Sequence, residues 1–194
     1  LPIAVMAGMG LYRSTFGLLA IIIAFTPFAL IAAFQVKYTS VADALSFTIV
    51  TVYLMVTGYF AANYIAEETE RRMRLVVKAY TISAVIVALI GTLAYLGLIP
   101  GEEIFTRYGR AKSTFKDPNV FGPFLILPAM YALQRILLGR PSTQLRDLVI
   151  YLILFIGVFV SFSRGAWLHL LGSSVLVVAL CFWLEAGARD RVRI

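Results

Sequence analysis

Two short polar segments in this sequence contain residue types that bind phosphate groups. The first, PGEEIFTRYGRAKSTFKDPN at residues 100–119, ends where a helix is predicted to begin. Planar guanidinium groups bind phosphate oxygens in bidentate fashion, and free amides at a helix N-terminus attract anions. We therefore expect this segment to bind a phosphate or pyrophosphate, or alternatively to be an interfacial loop whose cations reach lipid headgroups. Its candidate ligands are Arg107, Arg110, Lys112, Lys116 and Asn119.

The second segment is SFSRGAW, residues 161–167, in which Arg164 interrupts a nearly continuous apolar stretch. An arginine in the centre of a membrane span costs ~2.5–3.5 kcal/mol on insertion scales. Gly165 permits a sharp turn or a close backbone approach, and Ser161 and Ser163 can hydrogen bond beside the guanidinium. We expect Ser163 and Arg164 to contribute to the same phosphate site; the alternative is a simple tight turn between two spans, with Arg164 at the water interface.

The elements that position these segments are predicted to be helices. Asp117 followed by Pro118 is typical of an N-cap and a first helical position, because proline has no amide hydrogen and its fixed φ suits the first turn. Pro123 and Pro128 are predicted to kink the helix that follows, and Pro27 to kink an earlier one. Membrane helices tolerate such prolines when neighbours satisfy the freed carbonyl groups.

Composition points to a membrane protein. Of 194 residues, 61% are hydrophobic and 14% are charged, whereas soluble domains have roughly 45–50% and about 25%. The same values exclude a disordered chain, which needs low hydrophobicity. A membrane-spanning helix takes ~20 residues, so we predict an all-α fold, a single polytopic transmembrane bundle over residues 1–194. The predicted spans are 15–36, 44–66, 79–98, 118–138, 148–163 and 166–184.

The distribution of basic residues predicts the orientation of the spans. The sequence contains 17 Lys and Arg against 10 Asp and Glu, a net charge of +7. If Arg13 is cytoplasmic, eleven of the 17 basic residues fall at cytoplasmic ends, as the positive-inside rule requires. This orientation predicts that Arg110 and Arg164 are extracytoplasmic, and that Arg72 and Arg140 lie on the other side.

The charged segment EETERRMRLVVK, residues 67–78, is predicted to be a solvated helix extension rather than a lipid or partner contact. Oppositely charged side chains at i,i+4 add ~0.2–0.5 kcal/mol for each pair. The predicted pairs are Glu67 with Arg71, Glu68 with Arg72, and Glu70 with Arg74.

Several other features carry no chemistry in this interpretation. Cys181 is the only cysteine, so no intramolecular disulfide is possible. His169, the only histidine, is assigned to helix packing. No dinucleotide, Walker, HExxH or Cys/His metal motif is present, so we expect no cofactor, no metal and no nucleic-acid partner. Residues 1–12 are apolar but too short to cross a bilayer, and we interpret them as the tail of an earlier span in a longer protein.

The two polar segments together resemble the O-antigen ligase and polymerase family of bacterial envelope enzymes. The family pattern is an arginine, Thr-Phe, then Pro-Asn opening a helix, with Ser-Arg-Gly after the next span. Ser113 stands where the family commonly has glycine. The pattern matches Arg110, Thr114, Phe115, Pro118, Asn119, Ser163, Arg164 and Gly165.

The resemblance implies a metal-independent glycosyltransferase of the GT-C membrane architecture, located in the bacterial inner membrane with its site facing the periplasm or cell exterior. Its donor would be a glycan on undecaprenyl pyrophosphate, and its acceptor a lipid or a saccharide. Arg110 and Arg164 would be the catalytic residues that hold the pyrophosphate, whose developing charge fixed cations stabilise by ~2.7–4 kcal/mol for one such donor. In the family, a histidine in a large periplasmic loop farther along assists the acceptor, so residues 1–194 alone are expected to be inactive.

Two other classes of function remain open. A transporter or flippase of lipid-linked saccharide would also place cations beside a phosphate, but it should show repeated halves with broken helices in corresponding positions. The sequence has no such repeat. If the chain were an assembly subunit, Arg164 would have no assigned function. The sequence does not separate a ligase from a polymerase.

Overall fold

The computed structural model describes the backbone of residues 11–192 and the side chains of residues 11–183. Within these residues the fold is almost entirely helical, and six helices are long and apolar enough to cross a membrane. The all-α prediction and the predicted number of six spans are therefore confirmed, and the chain is a polytopic membrane protein. The predicted tail at residues 1–12 lies almost wholly outside the described residues. The six spans are Arg13–Phe34, Val41–Glu67, Thr69–Tyr95, Pro118–Leu138, Pro141–Val160 and Arg164–Trp183.

The chain divides into two compact units, Leu1–Val76 and Val77–Ile194. The first contains a short 3-10 turn, Arg13–Thr15, followed by helices α1 (Phe16–Phe34) and α2 (Val41–Glu67). Helix α2 begins as its sequence indicates, because the Ser40 side chain accepts a hydrogen bond from the Asp43 amide at 3.0 Å.

A buried amide joins the two helices of the first unit. Asn63, 4% exposed on α2, accepts hydrogen bonds from the Tyr12 amide and from the Thr15 hydroxyl, both at 3.0 Å. Its own amide donates to the Tyr59 carbonyl at 2.9 Å. Because apolar surroundings penalise an unpaired polar group, these bonds fix the start of α1 against the end of α2.

The charged segment after α2 is helical but broken at Glu68, whose backbone is non-helical (φ −138°, ψ 67°). The next helix, α3 (Thr69–Tyr95), begins one residue later. This break changes the register of the side chains, so two of the three predicted ion pairs are wrong. The observed pairs are Arg72 with Glu67 at 2.7 Å, Arg71 with Glu68 at 2.9 Å, and the predicted Arg74 with Glu70 at 3.2 Å.

The second unit begins within α3 and continues through five further helices and one small hairpin. They are α4 (Glu102–Phe105), strands β1 (Thr106–Arg107) and β2 (Arg110–Ala111), α5 (Pro118–Phe124), α6 (Ile126–Leu138), α7 (Pro141–Val160) and α8 (Arg164–Val192). The predicted third span ended too late, at 98, because the chain leaves α3 at Tyr95. The fifth began too late, at 148, because Pro141 starts α7 at its first turn.

Small residues allow the helices of the second unit to pack closely. A Cβ atom at Gly91 on α3 would lie 2.8 Å from the Phe121 ring, and one at Gly157 on α7 would lie 2.7 Å from Leu125. Phe121 and Leu125 are both fully buried. Close backbone approach through small residues is the usual means of packing membrane helices, which lack a hydrophobic driving force between them.

The predicted proline kink in the fourth span is confirmed as a break at Leu125, between α5 and α6. Pro128 has no amide hydrogen to donate to the carbonyl of Phe124, four residues earlier. The Tyr80 hydroxyl donates to that carbonyl instead, at 2.6 Å. The neighbouring α3 thus satisfies the carbonyl group that the proline frees.

Candidate phosphate-binding site

The hairpin β1–β2 holds two arginines on one face. Tyr108 and Gly109 between the strands both have positive φ, 51° and 67°, as a two-residue type I′ turn requires. Arg107 pairs directly with Arg110 in the antiparallel register. Directly opposed like charges destabilise a strand pair, so the hairpin concentrates positive charge at a local energetic cost.

Arg110 joins this hairpin to the turn between α7 and α8. Its Nε donates to the Ser161 carbonyl at 2.9 Å, across 51 positions of sequence, and its terminal nitrogen donates to the Asn119 side-chain oxygen at 3.0 Å. Ser161 follows the last residue of α7, where carbonyl groups have no partner within the helix. The bond therefore satisfies a helix terminus, and the guanidinium retains further N–H donors for another acceptor.

Arg164 is the first residue of α8, three positions after Ser161. Three residues span at most about 11 Å between Cα atoms, so Arg164 lies near the end of α7 that Arg110 contacts. Its side chain is exposed. Among the described residues, Arg164 forms no side-chain hydrogen bond and no ion pair.

Ser163, a predicted phosphate ligand, is buried and acts as the N-cap of α8. Its hydroxyl accepts a hydrogen bond from the Ala166 amide at 3.4 Å, and its own amide donates to the Ser161 hydroxyl at 3.3 Å. The exposed amides of the first turn, at Arg164 and Gly165, have no acceptor within the helix. The structure thus uses the Ser163 hydroxyl as a buried cap of α8.

None of the three other predicted cations hydrogen bonds to Ser161 within the described residues. Arg107 is 3.5 Å from the Asp117 carboxylate and is therefore partly neutralised. The Lys112 amine donates to the Phe115 carbonyl at 3.5 Å, and Lys116 is exposed. Arg110, Asn119 and the turn before Arg164 form the centre of the candidate site, and these three cations form its rim.

The predicted helix start at Asp117 and Pro118 is confirmed, and it changes how that helix end is interpreted. The Asp117 side chain accepts a hydrogen bond from the Asn119 amide at 2.8 Å. A carboxylate therefore occupies the N-terminus that was expected to attract an anion. The start of α8 is the stronger anion-attracting helix end, and sequence reasoning missed it although Ser-Arg-Gly before a long apolar run is a typical helix start.

Two further residues shape the site without a clear signal in the sequence. Ser113 is fully buried, has a φ of 51° and donates to the Val87 carbonyl at 2.7 Å. A Cβ atom at Gly122 on α5 would lie 2.7 Å from the Ser161 hydroxyl oxygen and 2.8 Å from Ala166. Both positions are explained by tertiary neighbours, which a sequence pattern does not identify.

Aromatic side chains hold the turn between α7 and α8 in a strained conformation. Phe162 has a φ of 47°, in the left-handed region, and such residues cost ~1–3 kcal/mol unless their surroundings fix them. The Phe162 ring lies 5.6 Å from that of Tyr95 and 6.0 Å from that of Trp167. Trp167 stacks on Phe159 at 5.2 Å and donates to the Val158 carbonyl at 3.2 Å.

His169 lies on the exposed surface of α8, five residues after Arg164. Among the described residues, no group of three potential metal ligands occurs. The side chains at this site offer hydrogen bonding and positive charge, which suit the binding of a phosphate group.

No protein-family model matches the chain, and no curated protein or solved structure is similar to it.

Proposed function

We propose that this chain is the membrane part of a glycosyltransferase of the O-antigen ligase and polymerase type. It would move a glycan from undecaprenyl pyrophosphate to a lipid or saccharide acceptor, in the bacterial inner membrane with the site facing the periplasm or the cell exterior. The observation that carries the proposal is the 2.9 Å hydrogen bond between Arg110 and the Ser161 carbonyl. It joins the two segments on which the family resemblance rests.

The conformation of Ser113 supports the same assignment. Ser113 stands where the family commonly has glycine, and its φ of 51° lies in the left-handed region that glycine adopts without steric cost. The hydrogen bond to Val87 offsets part of the cost to serine. The departure from the family pattern is therefore compatible with the loop shape that glycine would give.

In the proposed reaction, Arg110 and Arg164 bind the pyrophosphate of the donor. The acceptor hydroxyl oxygen forms a bond to the anomeric carbon, the bond from that carbon to the pyrophosphate oxygen breaks, and its electron pair remains on the pyrophosphate. Fixed guanidinium groups in a poorly hydrated site stabilise that charge. The proton of the acceptor passes to a general base that we do not assign to any described residue.

The test is glycan transfer by the full-length protein with Arg164 replaced. Arg164→Lys keeps the charge but removes the planar pair of donors, so it should strongly reduce transfer. Arg164→Ala should reduce the rate by ~10²–10³, the typical loss of one preorganised donor. The matched control is Arg140→Ala. Arg140 is an exposed cation at the opposite end of α7, so this variant should transfer glycan normally.

Two results would contradict the proposal. Near-normal transfer by Arg164→Lys and Arg164→Ala at equal protein levels would make this arginine a headgroup anchor. Movement of lipid-linked saccharide across vesicles, without any glycan transfer by the wild-type protein, would favour a transporter.

A further inference from the structure

A groove between α7 and α8 leads away from the turn that carries Arg164. Its volume is about 310 Å³, and its walls are almost wholly apolar. Four aromatic side chains line it, those of Tyr151, Phe155, Phe159 and Trp167. The other lining residues are Val158, Leu170, Leu171 and Ser174.

Helical spacing places Arg164 at one end of this groove. Arg164, Trp167 and Leu171 follow the i, i+3, i+7 pattern of a single helix face. From Trp167 to Ser174 the groove extends about 10 Å along α8, at 1.5 Å for each residue. An arginine at the head of an apolar groove is complementary to an amphiphile with an anionic head and an apolar chain.

Two of the three polar side chains along the groove already have hydrogen-bond partners. The Ser174 hydroxyl donates to the Leu170 carbonyl at 2.7 Å, and the Trp167 indole nitrogen donates to the Val158 carbonyl at 3.2 Å. Phe159 and Leu171 remain 53% and 63% exposed. The groove therefore offers mostly apolar surface, which suits a chain without functional groups.

We propose that this groove binds the first isoprenoid units of the lipid whose pyrophosphate lies at Arg110 and Arg164. This inference rests on the proposed function and adds the location of the chain. The methyl branches and double bonds of an isoprenoid pack against the aromatic side chains that line the groove.

The experiment compares inorganic pyrophosphate with farnesyl pyrophosphate as ligands of the full-length protein in nanodiscs. Leu171→Trp fills the groove, so it should weaken farnesyl pyrophosphate binding by about tenfold. This factor corresponds to the binding free energy that one to two buried methylene groups contribute. Pyrophosphate affinity should not change. The control is Leu168→Trp, because Leu168 is exposed on α8, as Leu171 is, but does not line the groove. This variant should bind both ligands normally.

A labelling measurement keeps the test decisive if Leu171→Trp does not fold. A diazirine on the first isoprenoid unit should label peptides from α7 and α8 that contain Phe159 and Trp167. Three results would overturn the groove assignment and leave the headgroup site intact. They are labelling of other peptides, an equal loss of affinity in both tryptophan variants, and competition by phosphatidylglycerol that is as strong as that by farnesyl pyrophosphate. Pyrophosphate binding that does not change in Arg164→Ala would instead contradict the proposed function, and the groove occupant with it.

Discussion

Arginines lie near both ends of helix α7, but the groups that contact these arginines differ between the two ends. At the start of the helix, the Asp147 carboxylate has a side chain only 3% exposed. It accepts hydrogen bonds from Arg135 at 2.9 Å and from Arg146 at 3.0 Å. A buried carboxylate thus pairs with two arginines, joins α6 to α7 and compensates one of the two positive charges.

At the other end of α7, Arg110 contacts neutral oxygens. It donates hydrogen bonds to the Ser161 carbonyl and to the Asn119 side chain, whereas the Asp117 carboxylate pairs with Arg107 at 3.5 Å. Neutral acceptors satisfy individual N–H groups but leave the positive charge uncompensated. The Asp147 end is therefore suited to stability, whereas the Arg110 end retains charge and donors for an anion.

Labelling from one side of the membrane should separate the two ends completely. In a Cys181→Ser background, Tyr108→Cys at the hairpin tip and Arg140→Cys before α7 lie at opposite ends of a helix about 30 Å long, the thickness of a bilayer core. An impermeant maleimide applied to intact cells should label the first and not the second. Equal labelling of the two cysteines would rule out this topology.

Removing the buried carboxylate should have the largest effect on stability. Asp147→Ala leaves Arg135 and Arg146 without a counterion, so we expect the free energy of unfolding to fall by ~1–3 kcal/mol, the range for an unpaired polar partner. Unfolding by SDS titration measures the loss. The control, Glu70→Ala, removes an exposed ion pair with Arg74 and should cost less than about 0.5 kcal/mol. Equal losses would contradict the structural role of the Asp147 cluster.

Substitution of Ser113 tests how the Arg110 end is held. Ser113→Gly relieves a left-handed backbone but loses the hydrogen bond to Val87. Because these two effects oppose each other, the free energy of unfolding should change by no more than about 1 kcal/mol. Ser113→Ala loses the bond and keeps the strain, and it should be the less stable of the two by ~1 kcal/mol. The same SDS titration applies. A more stable Ser113→Ala variant would mean that backbone strain is not important here.

His169→Ala should have the smallest effect. The side chain is exposed on α8, and substitutions at such positions usually change the free energy of unfolding by less than about 0.5 kcal/mol. Glycan transfer by the full-length variant should remain close to that of the wild-type protein. Abolished transfer at equal protein levels would make His169, rather than the arginines, the catalytic candidate.

The sequence alone predicted the helical fold and several local features correctly. Long apolar runs identify membrane spans because the bilayer forces every backbone polar group to bond within its own segment. The N-cap at Asp117 and the proline break near Pro128 were also correct, since both depend on residues within one helical turn. The ion pairs around Glu68 were wrong because a single non-helical residue changes the register of everything after it.

The candidate site was predicted only in part. Residue types and spacing identified Arg110 and Arg164 as phosphate ligands, and that role remains a prediction. The sequence indicated the N-cap at Asp117 but not its consequence, which is that a carboxylate occupies the helix end expected to attract an anion. Ser163 was expected to bind phosphate and is instead buried as the cap of α8, because burial depends on the neighbours that folding brings close.

Hydropathy, prolines and caps act over short distances along the chain, so the sequence alone predicts that this protein lies in a membrane and that α5 begins after Asp117. The contact between Arg110 and Ser161, 51 positions apart, depends on tertiary structure. That contact requires Gly122 to allow α5 close to the turn, and Ser113 to bend the loop. Close packing is a property of surfaces from distant segments, so the meeting of the two polar segments becomes visible only when the chain is folded.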